Sequence, residues 1–254
     1  MKKRKVKRRK KILLAAIVLD FVMILMISYT MAFFTSFDMV TNRFVAKPMD
    51  IALREERYDT LTEQQKSTLV PYRILPKDPL IQNTEQTDVY VFMKVTVPVG
   101  TLSNVADDGT VYGSQQRQEV FWLKTAAEVD ARATSFHLQD DAGDTAYWVE
   151  LSSFEEGTDG QSNTRTYVFG YSVYLRAYEM TETLFDYIEL KNIRQFEIDP
   201  NVSLDILVDA YGVQADGLEG IDKDSEGGKT ILTQEQLSNI YSFIHQDEMS
   251  EQNG

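Results

Sequence analysis

The chain has 254 residues, a formal net charge of −13 and no cysteine. Residues 1–32 contain nine of the 26 Lys and Arg residues and one of the 39 Asp and Glu residues, so residues 33–254 keep 17 basic and 38 acidic residues, a net charge of −21. A surface this acidic repels nucleic acid and anionic lipid, which excludes both as partners of this part of the chain. The absence of cysteine excludes a disulfide scaffold.

The first 34 residues have the order of a secretory signal. Nine basic residues within 2–11 precede an apolar run that ends in small and polar residues. Thr30 and Ala32 stand at the −3 and −1 positions of a cleavage site. This order predicts a signal peptide over residues 1–32, which a signal peptidase cuts between Ala32 and Phe33.

Residues 12–34 are also long enough for a retained membrane anchor, since a bilayer crossing needs about 20 residues. Asp20 opposes this alternative, because a carboxylate at mid-membrane costs roughly 2.5–3.5 kcal/mol on insertion scales. Both alternatives leave the basic end inside and place the remaining chain outside the cytoplasm. Membrane contact is expected only through residues 12–34.

The segment 88–99, DVYVFMKVTVPV, has the clearest strand pattern in the chain. Its residues alternate between two faces, as a strand with a period of two requires. One face carries Val89, Val91, Met93, Val95 and Val97, and the other carries Tyr90, Phe92, Lys94 and Thr96. Pro98 lacks a backbone donor, so we expect it to end the strand.

Other β-prone segments recur along the chain, separated by turn-forming runs such as ADDGT and DDAGD. They are residues 51–54, 119–124, 145–151, 165–177, 184–193, 195–200 and 203–213. Many strands with little helical periodicity predict an all-β fold, an antiparallel β-sandwich that spans residues 33–217.

Residues 218–254, called the tail, differ from this pattern. A Gly-rich acidic linker leads to Thr233 and Gln236, which have the spacing of a capping box. The apolar residues that follow, Leu237, Ile240, Tyr241 and Ile244, lie on one face of a helix. The tail is therefore predicted to form a short amphipathic helix, which either docks on the sandwich or contacts another protein.

Three separated stretches, within residues 31–53, 75–97 and 203–219, resemble the TasA/camelysin-like family of exported Gram-positive proteins, which have a SipW-dependent type of signal peptide. The matching positions are Ala32, Phe33, Phe34, Thr35, Asn42, Phe44, Met49, Asp50 and Ile51, then Lys77, Asp78, Pro79, Asn83, Thr84, Tyr90 and Val91, then Gln214, Ala215, Asp216 and Gly217. The resemblance implies a jelly-roll or immunoglobulin-like sandwich in a cell-surface or extracellular-matrix protein of the biofilm type.

The camelysin branch of that family carries a metallopeptidase label, which the residues of this chain do not support. Catalytic zinc needs about three protein ligands, commonly supplied by an H-E-x-x-H helix. This chain has only His137 and His245, in unrelated contexts, and it lacks cysteine and a G-x-S-x-G motif. The sequence therefore predicts no catalytic residues, no metal and no cofactor.

Two other patterns in the sequence resemble binding sites, and each has a simpler interpretation. Asp222, Asp224, Glu226 and Gly227 imitate the start of a calcium loop, but position twelve is Thr233, which favours a solvated acidic linker. Aromatic residues in the strands form either a carbohydrate platform or, as we expect, part of the core. These residues are Trp122, Tyr147, Trp148, Tyr167, Phe169, Tyr171 and Tyr174.

Together these features predict an exported, non-enzymatic structural protein of the cell surface or extracellular matrix. Cleavage before Phe33 would free an N-terminal segment that adds as a strand to the sheet of another copy. The alternative is a membrane-anchored accessory or binding module for such an assembly, and a metallopeptidase is the interpretation with the least support.

Overall fold

The computed structural model describes residues 50–67, 70–139, 147–155, 163–194, 197–198, 204–225 and 228–251, with the backbone alone for residues 67, 114 and 245–251. They all lie in the unit Ala46–Gly254. The predicted signal or anchor segment, the cleavage site Ala32–Phe33, and the motif residues Asn42 and Phe44 lie outside the described residues.

Strands dominate the described part of the chain. They are β1 (Ile51–Arg54), β2 (Ile74–Pro76), β3 (Leu80–Asn83), β4 (Val89–Val105), β5 (Val111–Glu119), β6 (Phe121–Lys124), β7 (Trp148–Glu155), β8 (Thr164–Tyr171), β9 (Tyr187–Leu190), β10 (Leu207–Gln214), β11 (Asp224–Ser225) and β12 (Gly228–Lys229). The helices are α1 (Glu56–Asp59), α2 (Glu63–Ser67), a 3₁₀ turn at Ala126–Glu128, and α3 (Gln234–Glu251). The predicted all-β class is confirmed.

The named strands pair in antiparallel fashion in four sheets of the described chain. The largest has the order β10-β4-β8-β7, and β5 also pairs with β4. The second has the order β2-β9-β6, while β1 pairs with β3 and β11 with β12. The strand β4 is the longest of these and contacts three partners, so the largest sheet is organised around it.

The predicted alternation along β4 separates two buried clusters. Its Val and Met face, with Met93 and Val95, joins residues of the β2-β9-β6 sheet such as Leu123 and Ile188 in the main core. Its other face contributes Tyr90 and Phe92 to a second cluster. The larger core therefore contains apolar residues of both sheets, as the period of two requires.

The prediction that Pro98 ends this strand is wrong, because β4 continues to Val105. Pro98 forms the last register pair with β8, opposite Thr164. From Val99 onward β4 pairs with β5 instead. A missing backbone donor is tolerated at this position because one ladder ends there and another begins.

The segment 195–200 also departs from its predicted strand. Glu197 and Ile198, the residues described there, are not in a strand. The Glu197 carboxylate instead accepts hydrogen bonds from Ser103 N at 2.6 Å and from Ser103 Oγ at 3.1 Å. The Glu197 side chain therefore binds the backbone and the hydroxyl of a β4 residue. The alternation of apolar and polar residues along the sequence does not predict this contact.

The tail packs on the second cluster. Leu232, Leu237 and Ile240 are buried against Tyr90 and Phe92 of β4. The predicted capping box is present, since Thr233 N donates to Gln236 Oε1 at 3.0 Å and Gln236 N donates to Thr233 Oγ1 at 3.3 Å. Of the two predicted roles of the helix, docking on its own sheet is the one observed.

A glycine in β8 allows α3 to approach the sheet closely. A Cβ atom at Gly170 would lie 3.3 Å from Leu237 Cβ and 3.2 Å from Phe92 Cε1. Those separations are tighter than most Cβ contacts, so a larger residue would push the helix outward. The sequence of β8 is therefore adapted to the docked tail.

Truncating Leu237 tests how strongly the tail is held. We expect Leu237→Ala to lower the free energy of unfolding by about 2–5 kcal/mol, because it leaves a cavity between α3 and the sheet. The matched control is Phe243→Ala, on the same helix but 43% exposed, for which a change of about 0.5 kcal/mol is expected. Equal effects in urea unfolding would contradict the docking.

Candidate functional site

The first two motif stretches meet at the β1–β3 ladder. The backbone carbonyl of Asp50 accepts hydrogen bonds from Thr84 N at 3.2 Å and Thr84 Oγ1 at 2.6 Å. Ile51 stands opposite Asn83 in the register of the two strands. Asp50 and Asn83, which the resemblance singles out, are therefore neighbours across one ladder.

Asn83 is fully buried and joins three segments of backbone. Its Nδ2 donates to the carbonyls of Thr87 at 2.9 Å, Leu175 at 3.2 Å and Arg176 at 3.0 Å. Its Oδ1 accepts from Glu85 N at 2.9 Å. Such a fully partnered amide serves as a structural joint, since a buried polar group requires its hydrogen bonds.

We expect Asn83→Ala to lower the free energy of unfolding by about 2–4 kcal/mol, since several buried backbone groups lose their partner. Asn83→Asp should be at least as harmful, because a carboxylate would face carbonyl oxygens. Gln82→Ala, at the next and more exposed position, is the control. Urea unfolding measures all three, and an Asp variant as stable as the parent would refute this role.

The third motif stretch turns the chain from β10 into the tail. Gln214 pairs with Val89 at the end of β10, and Ala215 N donates to Asp88 O at 2.8 Å. Gly217 has a φ of 86°, in the left-handed region that favours glycine. The motif therefore has a structural role here, because its glycine allows the chain to turn after β10.

Lys223 occupies the centre of the acidic segment that resembles a calcium loop. Its Nζ contacts Asp88, lies 3.3 Å from Asp216 Oδ1, and lies 3.6 Å from Asp224 Oδ2. The hydrogen bond with Asp88 raises the pKa of Lys223 above its usual value. Lys223 thus ties the segment to the sheet, while the side chains of Asp216 and Asp224 stay 53% and 55% exposed, in keeping with a solvated acidic linker. Glu226 and Gly227 lie outside the described residues.

A cluster of ion pairs holds α1 against the strands. The carboxylate of Asp78 accepts from Arg57 N at 3.1 Å and from Arg57 Nε at 3.0 Å. Lys77 Nζ donates to both Glu55 oxygens at 2.8 Å. The Lys-Asp pair of the second motif stretch therefore binds the segment that follows β1.

Asp186 extends this cluster to a third part of the chain. Its Oδ1 lies 3.0 Å from Arg57 Nη2, and its Oδ2 accepts from Ala126 N at 2.7 Å. His137 Nε2 lies 2.7 Å from the same Oδ2. The cluster, defined as Arg57, Asp78, His137 and Asp186, joins residues more than 100 positions apart, and sequence reasoning missed both Arg57 and Asp186.

The pH dependence of stability should reveal the role of Asp186. Burial favours a higher pKa for Asp186, but the bonds from His137 and Ala126 N and the charge of Arg57 hold that pKa below its usual value. A group whose folded pKa is lowered stabilises the fold above its unfolded pKa, about 3.9 for Asp, and loses this effect as the pH falls through the folded pKa.

We therefore expect Asp186→Asn to lower the free energy of unfolding by about 2–3 kcal/mol at neutral pH, because charge-assisted hydrogen bonds are lost. The difference from the parent protein should shrink as the pH falls below about 4. Urea unfolding across this pH range measures it. A difference that is constant with pH would exclude Asp186 as the titrating group.

Two further buried groups of charges lie beside the main core. Lys124 Nζ contacts Glu189 and donates to Val129 O at 2.8 Å. In the second group, the Glu119 carboxylate accepts from the Tyr167 hydroxyl, and burial together with that bond raises the pKa of Tyr167. Because both pairs are buried, removal of either partner would leave the other one buried without compensation and would destabilise the fold.

These arrangements supply structural ties, and a catalytic set is not apparent in them. The carboxylate of Asp186 contacts polar groups of four residues, and this holds His137 in place. The four residues are Arg57, Ala126, His137 and Thr183. Across the described ranges, no group of three His, Asp or Glu side chains is placed to hold a metal ion. The side chain of His245 is not among those described.

The aromatic residues proposed as either core or carbohydrate platform belong mostly to the core. Trp148, Tyr167, Phe169 and Tyr171 are buried in the main cluster. Their rings contact one another, with centroids 5.0 Å apart for Trp148 and Tyr171. Tyr174 lies in the second cluster, while Trp122 and Tyr147 are only partly buried. The prediction of core packing is confirmed for these buried residues.

Comparison of the chain with family models, curated proteins and solved structures gives no match. Among the described residues, none of the helices is long and apolar enough to cross a membrane. The likeness to the TasA/camelysin-like proteins therefore stays a prediction from the motif residues.

Proposed function

We propose that this chain is an exported, non-enzymatic structural protein of a Gram-positive cell surface or extracellular matrix, which assembles with copies of itself by strand addition. A signal peptidase would release it by cutting before Phe33. The motif residues, the basic and apolar N-terminus, and the acidic remainder of the chain support this function.

The fold we propose for it is a jelly-roll or immunoglobulin-like sandwich. The main core, shared by the β10-β4-β8-β7 and β2-β9-β6 sheets, supports a sandwich. Antiparallel pairing throughout the named strands is typical of both fold types. A rigid sandwich suits an assembling protein, because the sheet edges keep their places while they pair.

The observation that carries the proposal is the pair of edges at the ends of the largest sheet. Within the described residues β10 pairs only with β4. β7 pairs with β8, and at its start Trp148 also forms a bridge with Leu138, so the open part of this edge lies toward Phe154. Leu207 on β10 is 56% exposed and Phe154 on β7 is 46% exposed. An edge strand with exposed apolar side chains offers backbone donors and acceptors to an added strand.

Sedimentation velocity of the purified exported protein tests the proposal. We expect the assembled fraction to rise with protein concentration and with salt, because salt screens the repulsion between acidic copies. Leu207→Lys and Phe154→Lys should reduce it, since charge on an edge strand opposes pairing. Tyr178→Lys, at a 60% exposed position outside the strands, is the control. A protein that stays monomeric at every concentration and salt would overturn the proposal.

A further inference from the structure

The part of the tail between β10 and α3 is held firmly at its two ends and weakly between them. Its described residues, 218–225 and 228–231, are called the lid. Ala215 before the lid and Leu232 after it are each 2% exposed, and Leu232 N donates to Ser172 O at 2.8 Å. None of the lid residues is buried. Apolar burial therefore anchors both ends of the lid and contributes less to the lid itself.

Two lysine side chains fasten the lid to the rest of the chain. Lys223 contacts Asp88, and Lys229 contacts Glu179. These four side chains are between 21% and 38% exposed. Each lysine Nζ also lies 4.8 Å from the centre of the Tyr174 ring. Water and salt reach ion pairs with this exposure, so each pair stabilises the closed lid only modestly.

Tyr90 on β4 lies beneath the lid. Its ring centroid is 6.3 Å from that of Tyr174, and the Tyr174 hydroxyl donates to Asp224 Oδ1 at 2.6 Å. Burial raises the pKa of Tyr90 to about 12, and the charges of Lys223 and Asp224 also act on it. Lid residues therefore lie close to the Tyr90 hydroxyl.

The hydroxyl groups of Tyr90 and Ser172 have no hydrogen-bond partner in the part of the chain that the structure describes. Both residues are fully buried. A buried hydroxyl without a hydrogen bond destabilises the state in which it is buried, because it has lost its bonds to water. Opening the lid would return water to Tyr90, so the closed lid carries a cost that the open lid does not.

We propose that the lid opens and closes while its two anchors and α3 stay in place, and that opening brings water to the Tyr90 hydroxyl. Hydration of this hydroxyl offsets part of the loss of the Lys223 and Lys229 ion pairs. Gly220 and Gly228 have φ values of 74° and 131°, and glycine gives the backbone freedom to rotate at both positions. The motion of the lid is independent of the proposed self-assembly.

Hydrogen–deuterium exchange of the full chain, measured by mass spectrometry, tests this opening. Thr230 N donates to Lys223 O at 2.8 Å inside the lid, so this amide exchanges when the lid opens. We expect it to exchange at least about tenfold faster than the amides of β4, at a rate that low urea concentrations leave unchanged. Equal rates in the lid and in β4 would show that the lid opens only on global unfolding, and would overturn the proposal.

Two variants should change this exchange in opposite directions. Tyr90→Phe should slow it at Thr230 by about fivefold or more, because the closed lid no longer covers an unpartnered hydroxyl. Lys223→Met should speed it by about twofold to fivefold, because an ion pair is lost.

The matched control is Tyr171→Phe, in the main core, where the buried hydroxyl bonds the backbone of Glu182. It should leave exchange at Thr230 unchanged. A Tyr90→Phe variant that exchanges as fast as the parent protein, or faster, would show that the Tyr90 hydroxyl does not favour opening and would refute the lid.

Discussion

Replacing Glu189 with Gln is expected to lower the free energy of unfolding by about 3–5 kcal/mol, among the largest effects of any single substitution in the chain. Glu189 and Lys124 side chains are 7% and 2% exposed and contact each other. The Gln variant would leave the Lys124 ammonium buried with only Val129 O and the nearby Trp122 ring as partners. Chemical unfolding with urea measures the loss.

A double variant distinguishes the net contribution of the ion pair to stability from the cost of leaving one buried charge without a partner. Lys124→Met combined with Glu189→Leu should restore most of the stability, because removing both charges also removes their desolvation. Asp107→Asn breaks the exposed ion pair with Arg132 and should cost at most about 1 kcal/mol. A Glu189→Gln variant no less stable than Asp107→Asn would show that the pair is hydrated.

The second large effect is expected at Phe169. This ring is fully buried on β8, with its centroid 4.8 Å from that of Phe136 and 6.2 Å from that of Tyr167. We expect Phe169→Ala to lower the free energy of unfolding by about 3–5 kcal/mol, because it leaves a cavity among well-packed aromatic rings.

Phe154→Ala on the neighbouring strand β7 is the matched control for this core substitution. Phe154 is 46% exposed, so its truncation should change the free energy of unfolding by about 1 kcal/mol or less. Urea unfolding of both variants gives the comparison, with similar m values if each unfolds in one transition. Comparable losses in the two variants would place Phe169 outside a tightly packed core.

The parts of the fold that could be predicted from sequence are those with a local cause. The alternation along β4 requires only that neighbouring side chains point to opposite faces. The capping box at Thr233 depends on residues three positions apart. Pro98 shows the limit of such reasoning, because its tolerance depends on which strand lies beside it on each side.

The tertiary contacts of the candidate site could not be predicted in this way. Arg57 meets Asp186, 129 positions away, and neither residue lies in a local pattern that signals the contact. The pairing depends on strand order, which places the start of β9 beside α1. The resemblance singles out the motif residues Asp78 and Asn83. The ion pair of Asp78 with Arg57, and the three backbone carbonyls that Asn83 joins, follow only from the structure.

The N-terminal sequence of the exported protein tests both the proposed export and the proposed cleavage before Phe33. Protein recovered outside the membrane is expected to begin at Phe33 and to occur in assemblies, since cleavage after Ala32 frees the segment that precedes β1. Protein that begins at Met1 and stays in carbonate-washed membranes would contradict it, and would instead identify residues 12–34 as an anchor.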